Sequence, residues 1–71
     1  MTPQQAGKIV RDVITNTMGT KAGQGQVFGA VMSECMLAGL SSNDFGHGIN
    51  YCISNGWITV DSGKSWVTVH I

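Results

Sequence analysis

The sequence predicts an α+β domain: three helices followed by a C-terminal β-hairpin. Three observations predict it. Apolar residues recur at helical spacing in three runs, over residues 3–18, 24–38 and 42–54. Breaks at Gly19, Gly39 and Gly56 close those runs. From 57 to 70 the period changes to two, on either side of Asp61-Ser62-Gly63-Lys64.

The first helix opens at Thr2-Pro3-Gln4-Gln5. Thr2 can accept the Gln5 amide and Gln5 can reach back to Thr2. Pro3 suits the first helical position, where an N–H is not needed. Ala6, Ile9, Val10, Val13 and Ile14 form one stripe, with Lys8, Arg11, Asp12 and Thr15 on the wet side. Gly19 is placed to end the helix in a left-handed cap.

The second run places Val27, Phe28, Val31, Cys35 and Ala38 on one broad face, with Met32 and Leu37 flanking it. Met32 and Met36 read as core filler. Gly25 and Gly29 weaken a helix by about 1 kcal/mol each. With Ala22 and Ser33 they make a strip of small residues, suited to close packing within the domain or against a second copy. Leu40-Ser41-Ser42-Asn43-Asp44-Phe45 is a strong helix start. Ser41 is the cap, Asp44 its partner three residues on, and Leu40 with Phe45 the hydrophobic staple. Phe45, Ile49, Cys52 and Ile53 form the inner face of the third helix. Asn43, His47, Asn50, Tyr51 and Ser54 point outward.

In the hairpin, a two-residue Ser62-Gly63 loop would set Ile58 opposite Val67 and Thr59 opposite Trp66, with positive φ at Gly63. Ile58, Val60, Val67, Val69 and Ile71 would face the helices. Trp57 at the helix–strand junction reads as core. Trp66 has two readings, packing over the third helix or standing exposed beside Tyr51 as an interface anchor.

At 71 residues, and with 42% of them hydrophobic, the chain makes a single domain with one core, spanning residues 1–71. A domain of this size buries only about 60% of its unfolded surface. A net stability of about 3–5 kcal/mol is expected. Only 11% of residues are charged, and four basic side chains balance four acidic ones. That excludes a polybasic or acidic tail and a charge-laced coiled coil. No apolar run reaches membrane-spanning length, and the N-terminus lacks a signal-peptide pattern. Cys35 and Cys52 read as buried thiols of a reducing cytoplasm. Whether the two lie close is open at this point.

No catalytic set stands out. The four carboxylates are dispersed, and His47 and His70 have no nucleophile placed beside them by any motif. No paired cysteines or histidines have metal-ligand spacing. Gly63-Lys64-Ser65 lies in a hairpin turn and not at a strand-to-helix turn, so it is no phosphate loop. The expectation is a non-enzyme without cofactor or metal.

Three helices and a hairpin in this order resemble the winged helix-turn-helix superfamily. Met36-Leu37-Ala38-Gly39-Leu40-Ser41 looks like the turn of a helix-turn-helix, which needs a glycine, an apolar plug and an N-cap. Asn55-Gly56-Trp57-Ile58, followed by Trp66-Val67-Thr68-Val69, resembles a recognition helix running into a wing. The resemblance covers residues 24–71, with 2–18 as a generic first helix.

It implies binding to double-stranded DNA through the third helix, as in a transcriptional regulator or accessory factor. Asn43, His47, Asn50 and Tyr51 would face bases, and Asn50 could pair with adenine. Ser42 at the helix start would hold a phosphate, and Lys21 and Lys64 would add charge. The chain departs from the usual pattern in having no Arg or Lys on the third helix. A homodimer would double the few phosphate contacts. The second expectation is a protein-interaction module that uses the same helix, the wing and Trp66. In size and style it is similar to phage and mobile-element accessory proteins that modulate a host protein. Lys21 and Lys64 flanking one face favours DNA. An apolar face with Trp66 and Tyr51 exposed favours a protein partner.

Overall fold

The computed structural model describes residues 1–71. Helix α1 (Pro3–Asp12) runs into a π-helical turn (Val13–Thr17). Strand β1 (Gly25–Val27), helix α2 (Phe28–Leu37), helix α3 (Ser42–Ser54) and strands β2 (Ile58–Val60) and β3 (Trp66–Val69) follow. The fold is α+β, in a winged helix-turn-helix arrangement with a C-terminal hairpin. No helix is long and apolar enough to cross a membrane.

Helix α1 starts as its sequence dictates. Thr2 Oγ1 accepts from the Gln5 amide at 3.1 Å, and the Thr2 amide donates to Gln5 Oε1 at 2.9 Å. Its end differs from the plain helix expected over 3–18. The Thr15 hydroxyl donates to the Arg11 carbonyl at 2.8 Å, in competition with the backbone. The last turn widens, and the Met18 amide bonds to the Val13 carbonyl five residues back. Gly19 then takes φ +66° and ends the helix.

The second helix is shorter than the expected 24–38. Gly25–Val27 is a strand, paired antiparallel to β3 with Gly25 opposite Thr68 and Val27 opposite Trp66. The reason is tertiary. Backbone bonds from Gly23 to Val69 and from Phe28 to Ser65 hold this segment to β3 at both ends. Trp66 lies across Gly25, where any side chain would collide with the indole. The small-residue strip therefore does not exist as a helix face. Val27 and Ala38 are exposed, and Met36 is nearly half exposed. Met36 is not core filler.

Helix α3 has the expected limits, 42–54. The two helix ends that flank it share one device. Cys35-Met36-Leu37-Ala38-Gly39-Leu40 and Cys52-Ile53-Ser54-Asn55-Gly56-Trp57 both close in a Schellman motif. The Leu40 amide returns to the Cys35 carbonyl and the Trp57 amide to the Cys52 carbonyl, across Gly39 at φ +104° and Gly56 at φ +71°. Leu40 is thereby pushed into the core, as the helix-turn-helix reading requires.

The sheet order is β1-β3-β2. Ile58 pairs with Val69 and Val60 with Val67, a register two residues away from the expected one. A shift of two keeps each side chain on its face, so Ile58, Val67 and Val69 are still buried. Ile71 is not covered by the helices. The loop has four residues, because the Asp61 carboxylate accepts from the Ser65 and Trp66 amides at 2.7 and 3.0 Å and the strands cannot close further. Positive φ falls on Lys64 (+53°), not on Gly63. Behind the sheet, buried Thr20 accepts from Gln26 Nε2 at 3.0 Å.

The core centres on the crossing of α1 and α3. A Cβ on Gly48 would lie 2.8 Å from the Ala6 carbonyl oxygen and from Val10. Tyr51 covers Gly7, and Cys52 Sγ donates to the Gly7 carbonyl at 3.2 Å. A Cβ on Gly29, by contrast, would meet nothing within 4 Å. Gly48→Ala is therefore expected to lower stability by about 1–3 kcal/mol. Gly29→Ala is expected to leave stability unchanged or to raise it by up to about 1 kcal/mol. Urea unfolding midpoints check both; an unchanged midpoint for Gly48→Ala contradicts the crossing described.

Candidate functional site

The exposed side of α3 is set by its buried side. Phe45, Gly48, Ile49 and Cys52 face the core. Asn43, His47, Asn50 and Ser54, at spacings of four, three and four, form an exposed ridge opposite. The ridge is polar and carries no fixed charge. At its start the Ser41 hydroxyl accepts from the Asp44 amide at 3.1 Å, and Ser42 is exposed. Asp44 sits in the first turn, where its carboxylate complements the helix dipole. The same charge opposes a phosphate at that helix end.

Three expected site residues are placed differently from the expectation. Tyr51 is not part of the outward ridge. Its ring covers Gly7 and meets Trp57 edge-on at 5.7 Å, with the Arg11 guanidinium 4.6 Å over the Trp57 ring. Trp66 is 47% exposed and packs over β1, not over α3 or beside Tyr51. Lys21 lies in the loop held to the Val69 end of β3, since the Gly23 amide bonds to the Val69 carbonyl. Lys64 lies beyond the opposite end of that strand. Lys64 borders the groove described below and Lys21 does not.

Beside the ridge, α2, α3 and the wing enclose an open groove of about 460 Å³. Its apolar lining is Phe28, Met32, Phe45, Ile49, Ile53 and Val60, and Asn50, Asp61, Ser62 and Lys64 reach its rim. Phe28 and Phe45 meet edge to face at 5.5 Å. Ile53, expected in the core, is 42% exposed here. It lies at the edge of the α3 apolar stripe, and the stripe is wider than the core that covers it. Of the four cations only Lys64 borders the groove. Its backbone is held left-handed, an uncommon state for a residue with a side chain.

Both thiols are free and buried. Burial pushes Cys35 up to about 12, with Cys52 and Glu34 adding to the shift. Burial pushes Cys52 up to about 11 against an opposing effect of Arg11. Neither is a nucleophile at neutral pH. No three of the His, Cys, Asp and Glu side chains converge as metal ligands. The groove and β1 are what sequence reasoning missed.

Comparison with family models, with curated proteins and with solved structures finds no match to this chain.

The wing has a pH signature. Hydrogen bonds from the Ser65 hydroxyl and amide, then from the Trp66 amide, hold Asp61 below its ordinary value of 3.8. A depressed carboxyl contributes stability above its unfolded pKa and loses it as pH falls through the folded one. The Ser65 amide proton is expected to titrate in NMR with a midpoint below 3.8. A midpoint at or above that value contradicts the network.

Proposed function

We propose that this chain is a protein-interaction module of winged-helix shape that takes an apolar segment of its partner into the groove between α2, α3 and the wing. One observation carries the reading: the concave face beside α3 has an apolar lining, and the charges at its rim are one cation, Lys64, and one carboxylate, Asp61. Exposed apolar surface of this kind marks binding sites. A DNA-binding face instead needs cations that replace counterions on several phosphates. Here Lys8 and Arg11 belong to α1, Arg11 is stacked on Trp57, and Lys21 is at the far end of the sheet. Free thiols fit a reducing cytoplasm as the place of action. Binding needs no bond chemistry, and occupancy of the groove would act by modulating the partner.

A second reading, DNA recognition by α3, is favoured by the exposed ridge Asn43, His47 and Asn50, whose side chains suit base edges. In that reading Ser42 and Lys64 contact phosphates, and a dimer supplies the missing charge.

Titration with mixed-sequence duplex DNA separates the two, at about 20 mM and about 150 mM salt. The interaction-module reading expects no amide shifts over residues 41–54 and 61–66 at either salt. Shifts confined to those residues and weakening with salt overturn it in favour of DNA. In that event His47→Ala and Asn50→Ala together are expected to abolish sequence preference without unfolding the domain.

A further inference from the structure

We infer that Asn55 is a site of spontaneous deamidation and that the C-terminal cap of α3 keeps it unreactive until the cap opens. The chain has four asparagines, Asn16, Asn43, Asn50 and Asn55, and only Asn55 precedes a glycine. Deamidation begins when the backbone nitrogen of the next residue attacks the side-chain amide carbon. Glycine leaves that nitrogen unhindered and the backbone free to rotate into the attacking geometry. Thr17, Asp44 and Tyr51, which follow the other three, carry side chains that crowd it. Asn55 is exposed, so water reaches it. The step balances without a redox partner. The Gly56 nitrogen loses its proton to solvent and bonds to Asn55 Cγ, the Cγ–Nδ2 bond breaks, and ammonia leaves a cyclic imide. Water then opens the imide at either carbonyl, giving aspartate or its β-linked isomer.

The fold restrains each participant. The Gly56 amide donates to the Ile53 carbonyl at 3.0 Å, so the attacking nitrogen is engaged. Asn55 Nδ2 donates to the Tyr51 carbonyl at 2.8 Å, which ties the side chain back to the last helical turn. Asn55 is held at ψ 0° and Gly56 at φ +71°, and the Trp57 amide closes the motif on the Cys52 carbonyl. Trp57 itself is anchored by Tyr51 and Arg11. Imide closure needs the Asn55 backbone and side chain turned out of this arrangement, so the cap must first unwind. The product then works against the cap. A carboxylate at position 55 has no proton for the Tyr51 carbonyl and stands at the negative end of the helix dipole.

The test incubates the full chain in mildly alkaline buffer, folded and in guanidinium chloride. Mass spectrometry with fragmentation follows conversion and locates the residue. In denaturant, Asn55 is expected to convert ahead of Asn16, Asn43 and Asn50. It is expected to convert at least about tenfold faster there than in the folded protein, the kind of factor an opening equilibrium imposes. Trp57→Ala removes the anchor beyond the cap and leaves Asn55 and Gly56 in place. It is expected to speed conversion of the folded chain toward the denatured rate, with Trp57→Phe nearer the parent protein. Equal rates in the folded and denatured parent overturn the protection by the cap, a comparison that decides even where Trp57→Ala unfolds the domain. Faster conversion at another asparagine in denaturant overturns the site.

Discussion

The structure depends on the close crossing of α1 and α3. At Gly48 the α3 backbone lies so near the Ala6 carbonyl that even a methyl group would clash. Gly7 on the other helix admits the Tyr51 ring, and its carbonyl accepts the Cys52 thiol. A small domain has little core to spare. This contact converts two amphipathic helices into one rigid layer and decides which side of α3 is left outside. The ridge of Asn43, His47 and Asn50, and the groove wall of Ile49 and Ile53, follow from it.

The second constraint is how the chain leaves its helices. Two hexapeptides, each beginning with cysteine and ending in glycine plus a large apolar residue, form the same cap before and after α3. The first turns the chain into α3 and plants Leu40 in the core. The second sends it into the wing and sets Trp57 against the α1 face, where Arg11 covers it. Cysteine fits both sites because a small apolar side chain is needed where the caps meet the crossing. Its thiol chemistry is suppressed there by burial.

Local features made much of this legible. The Thr2 capping box, the Ser41 cap, the left-handed glycines at 19, 39 and 56, and the limits of α3 are each written in a few adjacent residues, and the structure has them. What was illegible is non-local. Residues 25–27 look helical by spacing, yet pairing with β3 and the indole over Gly25 make them a strand. The hairpin register hinged on one carboxylate, Asp61, satisfying two amides at once. Of the candidate site, the Asn43–His47–Asn50 ridge and Lys64 at the wing were readable from helical phase and turn position. Tyr51 was misplaced because its position depends on Gly7, and the place of Lys21 depends on the loop docking to Val69. The groove was not readable, since it exists only where three elements fail to close over Ile53.

An arrangement in which helices hold the frame and the wing supplies an adjustable edge has an unequal distribution of stability. Native-state hydrogen exchange measures that distribution directly. The account predicts that the Ile49 and Cys52 amides exchange only through global unfolding, because they lie on the α1–α3 crossing. It predicts that Val60 and Ser65 exchange through a smaller opening of the wing. Exchange of α3 by a partial opening that leaves the hairpin protected would contradict the claim that this crossing carries the fold.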